Sequence, residues 1–449
     1  MERGKISTNK LTMLSVGGII GAGFFLASGI AIKEAGPAIL INTLISVFLM
    51  YTVFQALVEM ITAQPVAGSF RVYAQEVLGN RYGFMSGWLY WVAGVLVMSS
   101  EVTASAIFTR YWFPAIPLWV FTLMYSVLIV GVNLMGIEDF SLIESIFSVI
   151  KVLALMFIII AGIVLLIMLS PKRPDIGFEN YVKFGGFFPN GIKGMYGAML
   201  MSLLSFAGIE VTAMAANQAR SERTIKNTLR NVIALLTILY TGSFVVLLAL
   251  TPWKLISVKI SPFVKLFDFV KIPYADSILN FIILTAALTT MNAAMYAVTQ
   301  VLFSLGQGEF APTLLAKENK RGIPIYALMA TSMGLIIAIT LSYILPKAVY
   351  EYITSSAGII QFSNWIIILL THIKFRKYID KKGMKDKLTF KAKGYPLLSW
   401  IGLIGVLLVI LSSLVVPKER IGFIVGIVII LFLFIFYSVA KRINLFERW

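Results

Sequence analysis

Cysteine is missing from all 449 residues, and histidine occurs once, as His372. Without thiols there is no disulfide, no thiolate metal centre and no cysteine nucleophile. With one imidazole there is no HExxH motif, and no phosphate-binding glycine loop occurs. Enzyme chemistry has no foothold in this chain, and neither a metal nor a cofactor is expected. Charge is scarce too: charged residues make up 13% against 59% hydrophobic ones, and mean hydropathy is +0.89. That balance lies outside the range of water-soluble domains.

The chain has long apolar runs instead. Windows of about 20 apolar residues, each able to cross a hydrocarbon core of roughly 30 Å as a helix, recur along its whole length. They predict twelve transmembrane helices, at 11–33, 38–62, 83–109, 117–136, 142–169, 194–216, 231–251, 277–304, 324–345, 349–373, 396–416 and 421–441. The expected fold class is an all-α polytopic membrane protein, a single transmembrane domain over 1–449. No cleavable leader is apparent ahead of the first window, which is expected to stay as an anchor.

The net charge of +17 invites a nucleic-acid reading, but its distribution argues against one. Outside the windows, roughly 24 Lys and Arg fall on the N-terminal side and roughly 13 on the other, the bias that orients membrane proteins. Both termini are therefore expected in the cytoplasm, and the chain in the cytoplasmic membrane. The largest inside cluster is KFRKYIDKKGMKDKLTFKAK, Lys374 to Lys393. It reads as a lipid-facing basic loop or as a regulatory or partner site.

Two windows are interrupted. VGGIIGAGFFLASG, Val16 to Gly29, holds Gly17, Gly18, Gly21 and Gly23, each costing roughly 1 kcal/mol against Ala in a helix interior. SLLSFAGIEVTAMAANQ, Ser202 to Gln218, is broken by Ser205, Gly208 and Glu210. The two breaks lie five windows apart, in the first and the sixth, and five is odd, so they occupy matching positions in two halves of opposite topology. That predicts an inverted repeat with a site at the midplane, where freed N–H groups and half-helix N-termini favour an anionic group. Tight packing of small residues is the alternative for the glycines.

Several polar residues lie inside windows. Lys151 falls nine residues into the fifth, roughly 14 Å deep. As a cation there it costs about 2.5–3.5 kcal/mol, so proton release at physiological pH is an expectation, beside a structural role on helix-break carbonyls. Glu101 sits well inside the third window, and Glu210 directly follows the sixth-window break. Glu59 and Glu144 fall near window ends and read as solvated or loop-anchoring. His372 reads as interfacial, with a pH sensor as the alternative. Asn292 and Tyr296, spaced i, i+4, line a pocket or bond helix to helix. YWFPAIPLW, Tyr111 to Trp119, fits an interfacial aromatic belt.

The segments GGIIGAGFFLASG, AQPVAGSFRVYAQEVLGNRYGFMSGWLYW, FAGIEVTAMAANQA, LTTMNAAMYAVTQVLFSLGQGEFAP and THIKFRK together resemble bacterial amino acid permeases of the amino acid-polyamine-organocation superfamily, in order along nearly the whole chain. The resemblance implies a five-plus-five inverted repeat (11–169 and 194–373) with discontinuous first and sixth helices, plus two extra C-terminal helices (396–441). It implies alternating access and an amino acid as cargo. Matched residue by residue, the α-carboxylate falls on the N–H groups of Ala22 and Gly23, supported by Gly21. The α-ammonium falls on carbonyls near Ile19 and along Leu204, Ser205, Phe206 and Ala207, beside Gly208. In proton-coupled relatives a fifth-span Lys stands where sodium-coupled relatives hold an ion, which matches Lys151, with Gly17, Ile20, Thr289 and Thr290 as neighbours. Some members of the branch carry an acid where Glu101 stands, which makes it a second proton-coupling residue or one facing the pocket, with a structural hydrogen-bonded carboxyl as the alternative. Glu210, placed where it can accept from freed amides, reads as a gating or break-supporting residue. The chain departs from the pattern in ARSERTIKNTL, at Gln300 and at Leu204, where some relatives carry an aromatic residue.

The reading is a proton-coupled importer of an α-amino acid, neutral rather than cationic. Its partners are the amino acid, protons and the lipid bilayer, with no nucleic acid and no obligate protein partner. An amino acid exchanger is the alternative, and a ligand-sensing receptor on a transporter fold a third.

Overall fold

The first helix starts where Ser7 caps it, its side chain accepting from the Lys10 amide at 3.4 Å, and α1 runs Thr8–Ile19. Described in this computed structural model are residues 6–446 apart from 67–68, 136–139, 211–220, 347, 385 and 387. At Ile20 and Gly21 the backbone turns extended, and the helix resumes as α2 (Ala22–Phe25) and α3 (Ala27–Ala35). A single turn at Gly36–Ala38 then leads into α4 (Ile39–Ala63). The apolar stretch 22–63 has 42 residues, roughly 63 Å if straight, twice the hydrocarbon thickness. It has to fold back, and it does so at Gly36–Ala38.

Next come α5 (Ser69–Leu78), α6 (Asn80–Arg110), α7 (Leu118–Met135) and α8 (Phe140–Leu169). The second interrupted region is α9 (Gly191–Gly197) followed by α10 (Met199–Leu204), which ends in a turn over Ser205–Gly208. Residues 211–216 of the expected sixth window lie outside the described residues. After them come α11 (Glu222–Leu250), capped by Ser221, then α12 (Pro262–Val270), α13 (Ala275–Gln307), α14 (Ile325–Ile344), α15 (Val349–Lys381), α16 (Leu397–Ser412) and α17 (Pro417–Arg442).

Among the described residues, nine helical stretches are long and apolar enough to cross a membrane. Their burial sorts them. The most apolar windows of α6 and α15 are 78% and 83% buried, those of α8 and α17 only 28% and 22%. The bundle is therefore built around α6, with α13 and α15 packed along it, while α8 and α17 turn apolar side chains outward. The short helices α5 and α12 fall in connections that the apolar windows left as loops.

Candidate functional site

Both backbone breaks are forced by close approach. A Cβ on Gly21 would lie 2.6 Å from Glu101 Oε1 and 2.8 Å from Thr290 Cγ2. Gly208 adopts φ +105°, and its Cβ would stand 2.7 Å from the Gly18 carbonyl oxygen. A larger residue at Gly21 has to displace the Glu101 and Thr290 side chains, and one at Gly208 has to move backbone. The breaks also touch each other: the Ser205 hydroxyl donates to the Gly23 carbonyl at 2.9 Å.

Freed backbone groups are met by side chains from five other helices. The Ala22 amide donates to both oxygens of Glu101 on α6, at 3.1 and 3.0 Å. The Ala22 carbonyl accepts from the Tyr350 hydroxyl of α15 at 3.0 Å, and the Ser205 carbonyl from the Tyr240 hydroxyl of α11 at 3.1 Å. Lys151, 1% exposed although α8 is peripheral, donates to the Gly17 carbonyl at 2.7 Å and the Thr290 hydroxyl at 2.8 Å. Thr290 in turn donates to the Ile20 carbonyl at 3.0 Å. Burying an ammonium is tolerable only with such partners. A broken helix supplies them, because its last carbonyls have no intrahelical donor.

Between these groups lies a cavity of about 70 Å³ lined by both breaks, α6, α13 and α15. Gly18, Ile19, Gly23, Leu204, Ala207, Gly208, Glu101, Glu210 and Thr290 all face it. Ala22, Gly21, Ser205 and Phe206 form the shell behind it, with Phe206 against Tyr240 at 4.9 Å. Glu210, fully buried, accepts from Gln361 Nε2 at 2.6 Å and from the Trp365 indole. Tyr90, Gly94, Thr354 and Gln361 also line the cavity. The sequence reading missed them because helices packed from elsewhere deliver them without any local break.

Other expected residues go elsewhere. The Thr289 hydroxyl bonds its own helix at Thr285 and Ala286, so of the two threonines only Thr290 meets the lysine. Asn292 accepts from Asn133 on α7 at 2.7 Å, and with Tyr296 and Gln300 it lines a second cavity of about 120 Å³ away from the breaks. His372 and Glu59 are corrections. His372, at the end of its window, is fully buried within the protein, 2.9 Å from Ser399 Oγ and 3.4 Å from Glu59 Oε2, rather than exposed at a surface. Glu59 is fully buried, takes two bonds from Arg376 at 2.7 and 2.9 Å and anchors the Ala392 amide, so the loop-anchoring reading holds and the solvated one does not. The Glu144 side chain lies outside the described residues.

A family model described as amino acid permease matches residues 10–447. The chain belongs to the amino acid permease family. It is 34% identical over 447 residues to the amino-acid permease RocC of Bacillus subtilis, covering 98% of this chain and 95% of that one. It is 32% identical to the gamma-aminobutyric acid permease of the same organism, over 96% and 92% of the two chains. The aromatic amino acid transport protein AroP of Escherichia coli K12 is 34% identical, over 94% and 92%. This permease is thus a multi-pass membrane protein for amino acid transport, and no catalytic family is indicated.

Proposed function

We propose that this permease imports an α-amino acid across the cytoplasmic membrane with a proton, by alternating access in a five-plus-five inverted repeat whose termini lie in the cytoplasm. The carrying observation is the Glu101 carboxylate on the Ala22 amide. That amide is the group expected to receive the substrate's α-carboxylate, so Glu101 and substrate compete for it. Two carboxylates about 4 Å apart repel by roughly 4 kcal/mol at an effective dielectric of 20. A proton on Glu101 removes that repulsion and frees the amide. Substrate carboxylate and proton then enter together, which is symport.

Lys151 stands on the other side of the first break and holds Gly17 and Thr290. It supplies the positive charge that an ion would otherwise bring between the first break and α13. Sodium is then not required. Gly94, Val97, Ala293, Ala294 and Val298 line the cavity with small apolar groups, and Glu210 is engaged by Gln361 and Trp365. A neutral amino acid with a small aliphatic side chain suits that lining.

The test is a thermal-shift screen of purified protein against the amino acids, then uptake of the best binder into liposomes under imposed gradients. An acidic exterior is expected to drive accumulation and a sodium gradient at fixed pH to do nothing. In Glu101→Gln binding is expected to persist and pH-driven accumulation to vanish. Accumulation that ignores the pH gradient, or needs counter-substrate inside, overturns symport in favour of exchange.

A further inference from the structure

The basic segment after α15 is not loose. Thr389 offers its carbonyl to Lys226 Nζ of α11 at 2.9 Å. Ala392 donates to Glu59 of α4 and accepts from Arg376 of α15 at 3.1 Å. Lys393 and Gln55 of α4 exchange two bonds, at 3.1 and 3.4 Å. Tyr395 donates to the Ile373 carbonyl at 2.6 Å and lies under the Arg376 guanidinium, 3.9 Å from its ring centre. Residues 389–395 therefore form a strap that ties three membrane-spanning helices together at one end of the bundle.

The outer side of the strap and of the α15 extension is cationic. Lys374, Lys377, Lys381, Lys391 and Lys393 are all exposed, and none has an ion-pair partner among the described residues. The first three follow one helix face at i, i+3 and i+7, rising roughly 10 Å from the apolar end of a spanning helix. That rise crosses the headgroup layer, roughly 5–8 Å thick on each side of the core, and carries Lys381 just beyond it. A bilayer surface is the one anion always within a Debye length of these charges, about 8 Å at physiological salt.

We propose that this face docks on anionic lipid headgroups and that docking holds the strap closed across α4, α11 and α15. The partner is the leaflet itself, and the inference does not depend on what the central cavity carries. Cationic side chains on the strap are drawn to the surface, while Glu59 and Gln55 hold its backbone from the inside. Lipid charge and the buried contacts thus act on the same few residues from opposite sides.

The test compares the full-length protein in nanodiscs of phosphatidylcholine with discs containing about one third phosphatidylglycerol, reading hydrogen exchange over residues 386–395. Exchange is expected to slow about tenfold in the anionic discs, and the slowing to disappear at about 0.5 M salt. Changing all five lysines to Gln is expected to remove it at any salt. Equal exchange in the two discs, or slowing that survives the five changes, overturns the proposal. So does glycerol phosphate reproducing the slowing in neutral discs, which would make the site one for a soluble anion. Unchanged exchange along α6 certifies that the variant is folded. If it is not, Lys391→Gln with Lys393→Gln replaces it, with a partial loss of slowing expected and an undiminished effect again overturning the docking.

Discussion

Two buried polar knots sit in this bundle and are built on opposite plans. At the strap, Glu59 is met by Arg376 twice, by His372 and by the Ala392 amide. Opposite charges are paired directly, and strap and helix end close over them. At the breaks, Glu101 and Lys151 do not pair with each other by any direct bond among the described residues. Each rests on backbone that a helix gave up, the Ala22 amide for one and the Gly17 carbonyl for the other, with a cavity alongside. A directly paired knot holds elements in place, because either partner alone would be a buried unpaired charge. A knot resting on backbone can hand its donor or acceptor to a visiting group at little cost, since the visitor restores the same bond.

The largest expected effect follows from the first plan. Glu59→Ala takes the carboxylate from the Ala392 amide and from Arg376, which keeps only the Ala392 carbonyl, and is expected to cost about 3–5 kcal/mol, read as a large fall in melting temperature of the purified protein. Glu101→Ala leaves the Ala22 amide unmet beside a cavity that can admit water, and about 1–3 kcal/mol is expected. A Glu101 variant as unstable as the Glu59 variant would erase the distinction between the knots.

Gly21→Ala comes next. Its Cβ would crowd Glu101 Oε1 and Thr290, and such overpacking costs about 1–3 kcal/mol. Uptake by the variant is expected to fall far more than its melting temperature, because the shifted groups are those that face the substrate. A loss confined to stability would show that the extended turn serves packing alone.

How much of this was legible beforehand follows from the same contrast. The breaks could be read because they are local: four glycines in seven positions, and Ser205, Gly208 and Glu210 in an apolar run, change helix propensity where they stand. Lys151 was legible because a charge in an apolar window is costly wherever it points. The strap knot was not. Glu59 and His372 stand near window ends, where exposure is the ordinary outcome, and Arg376 and Ala392 reach them from more than 300 residues away from Glu59 in sequence. Thr289 and Thr290 show the finer limit. Adjacent residues on a helix point about 100° apart, so composition names both and only packing selects Thr290.

That selection gives a smaller effect. Thr290→Val removes the hydroxyl that joins Lys151 to the Ile20 carbonyl and is expected to cost about 1–2 kcal/mol and to weaken pH-driven uptake. Thr289→Val loses only bonds to its own helix, and a change under about 0.5 kcal/mol is expected. Equal effects on uptake from the two variants would contradict the placement of the lysine.

The smallest effect belongs to an ion pair in water. In the connection after α8, Arg173 donates to Asp175 at 2.6 Å with both side chains partly exposed. The hydrogen bond from Arg173 holds the Asp175 carboxyl below its usual range. A carboxylate lowered on folding contributes stability that is present above its unfolded pKa and is lost as pH falls through the folded value. Exposure shrinks that contribution, and Asp175→Asn is expected to shift stability at neutral pH by less than about 0.5 kcal/mol, with the difference from the parent fading in acid and in high salt. The contrast with Glu59, whose arginine pair is buried and reinforced by the Ala392 amide, sets an ion pair that joins α4 to α15 against one that only trims a loop.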